Sequence, residues 1–207
     1  IKDADSLERA RNITAIVLDK TGTITEGKPE VVEAVGLDDG TAASALFAIE
    51  SRSEHPLAEA VVRHLRSATV GSAHRVDRNG AAQVTQFESL TGKGVKATVS
   101  GTTWLVGNRR LLEENGISIT GEWRTHEKRW QEAAHTVVWV ADGTQVRAAV
   151  AIADRIKPSA ASAIERLKRA GIKVYMQTGD ARRTAQAVAQ AVGIDDFRSE
   201  VLPKDKG

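Results

Sequence analysis

The chain has 207 residues, 41% hydrophobic and 27% charged, with 17 Gly, 4 Pro, no Cys and a formal net charge of +2. That composition supports one large core or two modest ones and excludes disordered and collagen-like chains. It also excludes a disulfide framework, a thiolate zinc site and a cysteine nucleophile, while no apolar run approaches bilayer-spanning length and the dispersed basic residues carry no nucleic-acid motif. The chain opens on Ile1 and stops at Lys206-Gly207, which suggests a segment of something longer.

Residues 4–11 read as a short polar helix. Residues 13–18 form a nearly continuous apolar run ending at Asp19, the pattern of a buried parallel strand. Small, turn-prone residues follow, Lys20-Thr21-Gly22-Thr23, so Asp19 sits where a strand hands over to a loop.

A stretch of different texture comes next, with helical patterns at 41–50 and 56–67 and strand patterns at 94–100, 102–106, 136–141 and 145–152. A helix over 109–114 is expected to be capped by Asn108, and a longer one over 120–135 carries Trp123 and Trp130 at a core-packing spacing. This reads as an antiparallel sheet with helices on one side. It forms a domain of residues 31–151 inserted into a first domain of residues 1–30 and 152–207, with hinges near Lys28-Pro29 and residues 154–158.

Helical patterns at 158–170 and 181–192 flank a strand at 172–177, which delivers Thr178-Gly179-Asp180, and a short strand is expected at 199–202. Helix, strand, helix, strand is the signature of an open α/β sheet, whose ligands bind beyond the carboxyl ends of its strands. Asp19 and Thr178 would meet there.

A carboxylate at such a strand end suits a nucleophile or a magnesium ligand, although an Asp that caps a turn has the same local sequence. Asp180 suits either of two roles, orienting the Thr178 loop or, the more common one, capping the helix that starts at Ala181. His55, just before Pro56, and Gly92 and Gly94, which flank Lys93, suit either a nucleotide pocket or a plain surface turn. His64, His74, His126 and His135 show no ligand spacing.

Asp19-Lys20-Thr21-Gly22-Thr23 resembles the phosphorylation motif of the P-type ATPases, a branch of the haloacid dehalogenase-like superfamily. Thr178-Gly179-Asp180, then Pro203 and Lys206, follow in the family's order. Ser53-Glu54-His55-Pro56-Leu57, Gly92-Lys93-Gly94 and Gly107-Asn108 are similar to the heavy-metal-transporting subclass, and most to its copper pumps.

The resemblance implies a Rossmannoid parallel-sheet phosphorylation domain with an inserted α+β nucleotide-binding domain. It implies that Asp19 attacks the γ-phosphate of ATP, and that Asp19 and the Thr21 carbonyl hold Mg2+. Thr178, with Gly179 and Asp180 in its loop, would bind the transferred phosphoryl group, and Lys20 and Lys206 would supply positive charge. Glu50, His55, Gly92, Gly94 and Gly107 would line the ATP pocket, the first two addressing adenine. The implied partners are ATP or ADP, the transmembrane and actuator domains of the same polypeptide, and a transported metal ion, with these domains on the cytoplasmic face of a membrane.

Phosphatases of the superfamily place a second Asp two residues after the nucleophile. Thr21 stands there instead and cannot accept a proton near neutral pH, which favours a persistent phosphoenzyme and a pump. The family's Gly-Asp-Gly and Asn-Asp motifs, which complete the magnesium site, do not occur after Lys206. Catalysis by this segment alone is therefore expected to be impaired. A capped phosphatase and a non-catalytic nucleotide-binding module are the alternatives.

Overall fold

The computed structural model describes residues 13–38, 40–68 and 83–201. The elements in chain order are β1 (Ala15–Asp19), β2 (Glu30–Val35), α1 (Thr41–Glu50), α2 (Pro56–Ala68), β3 (Val84–Leu90), β4 (Gly94–Val99), β5 (Thr102–Gly107), α3 (Arg109–Glu114), α4 (Glu122–Glu132), β6 (Thr136–Ala141), β7 (Val146–Ala153), α5 (Ala160–Arg169), β8 (Lys173–Gln177), α6 (Arg182–Val192) and β9 (Asp196–Arg198). The chain splits into two compact units, divided between Gly27 and Lys28 and again between Asp154 and Arg155. The helix expected at residues 4–11 lies outside the described residues.

The first unit holds a parallel sheet in the order β1-β8-β9. β1 and β8 run in register from Ala15 opposite Lys173 to Asp19 opposite Gln177, so both strands deliver their loops at the same end. Val174 and Met176 alternate inward along β8, and Ile164 of α5 and Ala185, Val188 and Val192 of α6 are buried with them. α5 packs on β8 and α6 on β9. Gly193, left-handed at φ 74°, stops α6.

Two expectations fail here. β1 is parallel but not fully buried: among the described residues it pairs only with β8, and Val17 is 57% exposed. An unbroken apolar run signals two-sided burial only for a strand with neighbours on either side. The last strand comes earlier than residues 199–202, at Asp196–Arg198, because the tight stop at Gly193 returns the chain to the sheet within a few residues.

The second unit is a six-stranded antiparallel sheet in the order β2-β7-β6-β5-β4-β3. The sequence reading found four of these strands; β2 and β3 add one at each edge. Helices cover both faces, which corrects the one-sided expectation. Along β6, Val138 and Val140 join Leu46 and Ile49 of α1 and Val61 and Leu65 of α2 in one apolar cluster. Val137, Trp139 and Ala141 point the other way into a cluster with Leu111 and Leu112 of α3 and Trp130 of α4. The unbroken apolar character of β6 and β7 reflects burial on both sides.

Candidate functional site

The residues singled out from the sequence fall into two sets. Asp19, Lys20, Thr21, Thr178, Gly179 and Asp180 belong to the first unit; Glu50, His55, Gly92, Gly94 and Gly107 belong to the second. Lys206 lies outside the described residues.

In the first unit, Asp19 is the last residue of β1 and is half-buried. Residues Lys20–Ile24 then make one wide turn in which Gly22 adopts φ 76°, a left-handed conformation that favours glycine. Two side chains hold this turn with three hydrogen bonds. The Thr25 hydroxyl donates to the Lys20 carbonyl at 3.0 Å and accepts from the Gly22 N–H at 3.3 Å. The Lys157 ammonium donates to the Gly22 carbonyl at 2.7 Å. Neither Thr25 nor Lys157 stood out as a loop-shaping residue in the sequence, since the contact with Lys157 spans most of the chain.

Lys20 turns inward. Its ammonium lies 2.5 Å from the Asp180 carboxylate, with the two side chains only 6% and 10% exposed. The same carboxylate oxygen accepts the Thr178 hydroxyl proton at 2.7 Å, and the Asp180 N–H donates back to that hydroxyl at 3.1 Å. Thr178 is itself buried, and its N–H and C=O bond Arg198 and Val201. The loop after β1 is thereby tied to the loop after β8 through a buried ion pair. The expected helix cap is corrected: α6 has Ala181 at its N-cap with no side-chain cap, because the Asp180 carboxylate is drawn toward the buried Lys20.

The half-buried Asp19 carboxylate at the end of β1 and the carbonyl of the exposed Thr21 are hard oxygen donors, chemistry that suits a hard cation retaining several waters. Among the described residues no group of three or more His, Cys, Asp or Glu is arranged to hold a metal ion.

In the second unit, Glu50 ends α1 and His55 precedes α2. The short connection is internally bonded: the Ser53 N–H donates to the Glu50 carbonyl at 3.1 Å, and the Ser53 hydroxyl accepts from the His55 N–H at 3.3 Å. His55 Nδ1 accepts from the Leu57 N–H at 3.2 Å, capping the first turn of α2. Partial burial lowers the pKa of His55 and keeps the ring in the neutral form that this acceptor role needs. Glu50 is 9% exposed, and burial pushes its carboxyl up to about 7.

The glycines have a local explanation. Gly94 and Gly107 are directly opposed on β4 and β5. A side-chain carbon on Gly94 would come within 2.1 Å of the Val106 carbonyl, and one on Gly107 within 2.1 Å of the Lys93 carbonyl. Their missing side chains let two backbones approach. Asn108 caps α3 as expected, accepting from the Leu111 N–H at 3.1 Å, and its amide also donates to the Gly92 carbonyl at 2.9 Å, which holds the β3–β4 turn. Among the described histidines, His126 and His135 lie near Glu33 without forming a ligand set.

The family model for haloacid dehalogenase-like hydrolases matches residues 13–206. Among curated proteins, the chain is 41% identical to the probable copper-transporting ATPase PacS of Synechococcus elongatus, over 100% of this chain and 27% of that one. It is 38% identical to a copper-exporting P-type ATPase of Staphylococcus saprophyticus, over 99% of this chain and 24% of that one. The chain thus spans about a quarter of the length of the curated relatives it matches. Among solved structures, the catalytic domain of the CPx-ATPase CopB-B has the same fold, with a TM-score of 0.74, 23% identity and coverage of 100% of this chain and 68% of that one. A zinc-transporting PIB-type ATPase in its E2.Pi state gives a TM-score of 0.55 at 29% identity, over 100% of this chain and 32% of that one. The chain belongs to the haloacid dehalogenase-like hydrolase family and matches a segment of copper-transporting P-type ATPases.

Proposed function

We propose that this chain is the ATP-binding and phosphorylation portion of a copper-transporting P-type ATPase. On this reading the first unit is the phosphorylation domain and the second the nucleotide-binding domain. Glu50 and His55 receive the adenine of ATP, with the turn of Gly92, Gly94 and Gly107 beside it. An Asp19 carboxylate oxygen attacks the γ-phosphorus, the bond to the β-phosphate oxygen breaks, and ADP leaves with the electron pair. The aspartyl phosphate is later hydrolysed to free phosphate, and transport is coupled to its formation and loss.

Mg2+, held by Asp19 and the Thr21 carbonyl, would neutralise the repulsion between carboxylate and triphosphate. Lys206 would add a permanent positive charge. Lys20 has a different part: paired with Asp180, it positions the Thr178 hydroxyl. The partners are the transmembrane and actuator domains of the same polypeptide and the copper ion. Among the described residues no helix is long and apolar enough to cross a membrane, so on this proposal both units lie at the cytoplasmic face.

The observation that supports the reading is the register of Asp19 with Gln177, by which β1 ends level with the start of the Thr178-Gly179-Asp180 loop. The test is labelling of the complete pump with γ-labelled ATP. An acid-stable, hydroxylamine-labile label that vanishes in Asp19→Asn is expected. A label that survives the substitution would refute Asp19 as the acceptor.

A further inference from the structure

The turn after Asp19 is held by a residue that comes 135 positions after Gly22. Lys157 grips the turn twice: its N–H donates to the Ile24 carbonyl at 2.9 Å, and its ammonium donates to the Gly22 carbonyl at 2.7 Å. Around these bonds residues 24–26 and 155–157 form a short antiparallel ladder, with Thr25 opposite Ile156 and the Glu26 N–H donating to the Arg155 carbonyl at 2.8 Å. Pro158 restricts the residue before it to extended backbone, which suits Lys157 to this ladder. Ile24 and Thr25 are buried, so the backbone from which Lys157 reaches is anchored. Both strands of the ladder continue into the second unit, after Gly27 and before Arg155.

The grip decides the direction of a peptide plane. Glycine visits positive and negative φ with similar ease, so Gly22, at φ 76° and ψ −12°, does not select its own conformation. Each peptide is planar and trans, so a bond at one end sets the direction of the other. The Gly22 N–H is held by the Thr25 hydroxyl, which turns the Thr21 carbonyl to the opposite side of that peptide. The Gly22 carbonyl is held by Lys157, which sets the Thr23 N–H in the same way. Thr25 follows the turn directly in the chain; Lys157 is brought to it by the fold.

We propose that Lys157 is a positioning residue for phosphoryl transfer to Asp19: by fixing the Gly22 peptide it holds the turn in the form that aims the Asp19 carboxylate and the Thr21 carbonyl. The proposal rests on the reading above that Asp19 is the phosphate acceptor, and adds to it a residue that acts through the turn. An ammonium donating to a backbone carbonyl makes a charge-assisted bond, stronger than the neutral alternatives open to that carbonyl. Without it the Gly22 peptide is free to flip, and the two oxygens on the Asp19 side of it lose their fixed direction. In-line attack on phosphorus does not tolerate this, since a misplacement of about 1 Å costs about 100-fold in rate.

Two measurements test it. On this chain, amide hydrogen exchange compares wild type, Lys157→Met and Lys157→Arg. The Thr25 N–H, bonded to the Lys20 carbonyl at 3.0 Å, should exchange about 10-fold faster in Lys157→Met, with the amides of β8 unchanged. Lys157→Arg should stay close to wild type, because a guanidinium also donates to a carbonyl. On the complete pump at saturating nucleotide, the rate of labelling from γ-labelled ATP should fall about 100-fold in Lys157→Met. The half-saturating ATP concentration should be unchanged, and Lys157→Arg should restore most of the rate. Should Lys157→Met fail to fold, Lys157→Gln, shorter and uncharged, takes its place in both measurements.

A normal labelling rate in Lys157→Met, a smaller amount of label formed at the normal rate, or a loss confined to ATP affinity would overturn the proposal while leaving Asp19 as the acceptor. Exchange at Thr25 that is unchanged, or that accelerates equally throughout β8, would overturn it too, the second by reducing Lys157 to a general stabiliser. A wild-type label that is absent, or that survives Asp19→Asn, would overturn both readings.

Discussion

The Lys20 ammonium is sealed against the Asp180 carboxylate at 2.5 Å, and through that carboxylate it is linked to the Thr178 hydroxyl. A cation next to the proposed phosphate acceptor is the obvious candidate for a phosphate ligand. Here its charge is already spent, and what it contributes is the placement of a neighbouring loop.

Removing one member of this pair strands the other charge in a poorly solvated place, while removing both does not. Lys20→Met should destabilise the first unit by about 3 kcal/mol, whereas Lys20→Met combined with Asp180→Asn should recover at least half of that loss. Denaturant unfolding of the single and double variants measures it, and additive losses would show that the pair is not coupled.

Gly94 and Gly107 make a sharper case, because the space that a methyl group would need is filled by backbone. Gly94→Ala should cost about 3 kcal/mol or more, since the β4–β5 pairing must open to admit the new carbon. At Gly92, whose φ is 71°, the same change should cost only about 1 kcal/mol, the ordinary penalty for a left-handed alanine. Unfolding midpoints rank the two. Equal costs would mean that the cross-strand approach is looser than 2.1 Å implies.

His55 is a helix cap whose acceptor nitrogen must stay unprotonated. His55→Ala should lose about 1 kcal/mol of stability, on the scale of other helix caps. Because the folded-state pKa is lowered, more protons bind to the unfolded chain as the medium is acidified. The contribution of His55 is therefore complete above about pH 6.5, the ordinary value for the ring, and fades as pH falls through the lower, folded value. A stability difference between wild type and variant that grew toward acid would contradict this.

Local pattern carried much of the architecture, and its failures share a cause. Helices at 41–50 and 109–114, the strand at 136–141 and the Asn108 cap follow from periodicity and capping chemistry within a few residues. Exposure of Val17 and the second helical layer over Trp139 depend on which strands become neighbours, and residues 13–18 alone do not encode that. The site divides the same way. Asp19 and Thr178 were legible as strand ends, but Asp180 looked like an ordinary helix cap because its partner, Lys20, lies far away in the chain. Gly94 could be read in sequence as part of a nucleotide pocket or of a turn, because close approach by a nucleotide and by another strand impose the same demand for glycine.

Glu50 also sets a pH dependence of folding that is separable from ligand binding. Burial raises its carboxyl from 4.5 to about 7, so between those values the folded protein holds a proton that the unfolded chain has lost. Stability from this group is complete below about pH 4.5 and drains away as pH rises through 7, the reverse of the usual salt-bridged carboxylate. The loss at full ionisation is on the order of 3 kcal/mol. Glu50→Gln keeps the size and shape of the side chain and cannot ionise, so its unfolding free energy should lack this slope and exceed that of the wild type by about 2–3 kcal/mol above neutrality, with little difference in mild acid. Urea unfolding of both proteins without nucleotide, in steps from acid to alkaline pH, reads the slope directly. Parallel curves would show that the carboxylate finds solvent or a partner on ionising, which would remove the energetic ground for a neutral Glu50.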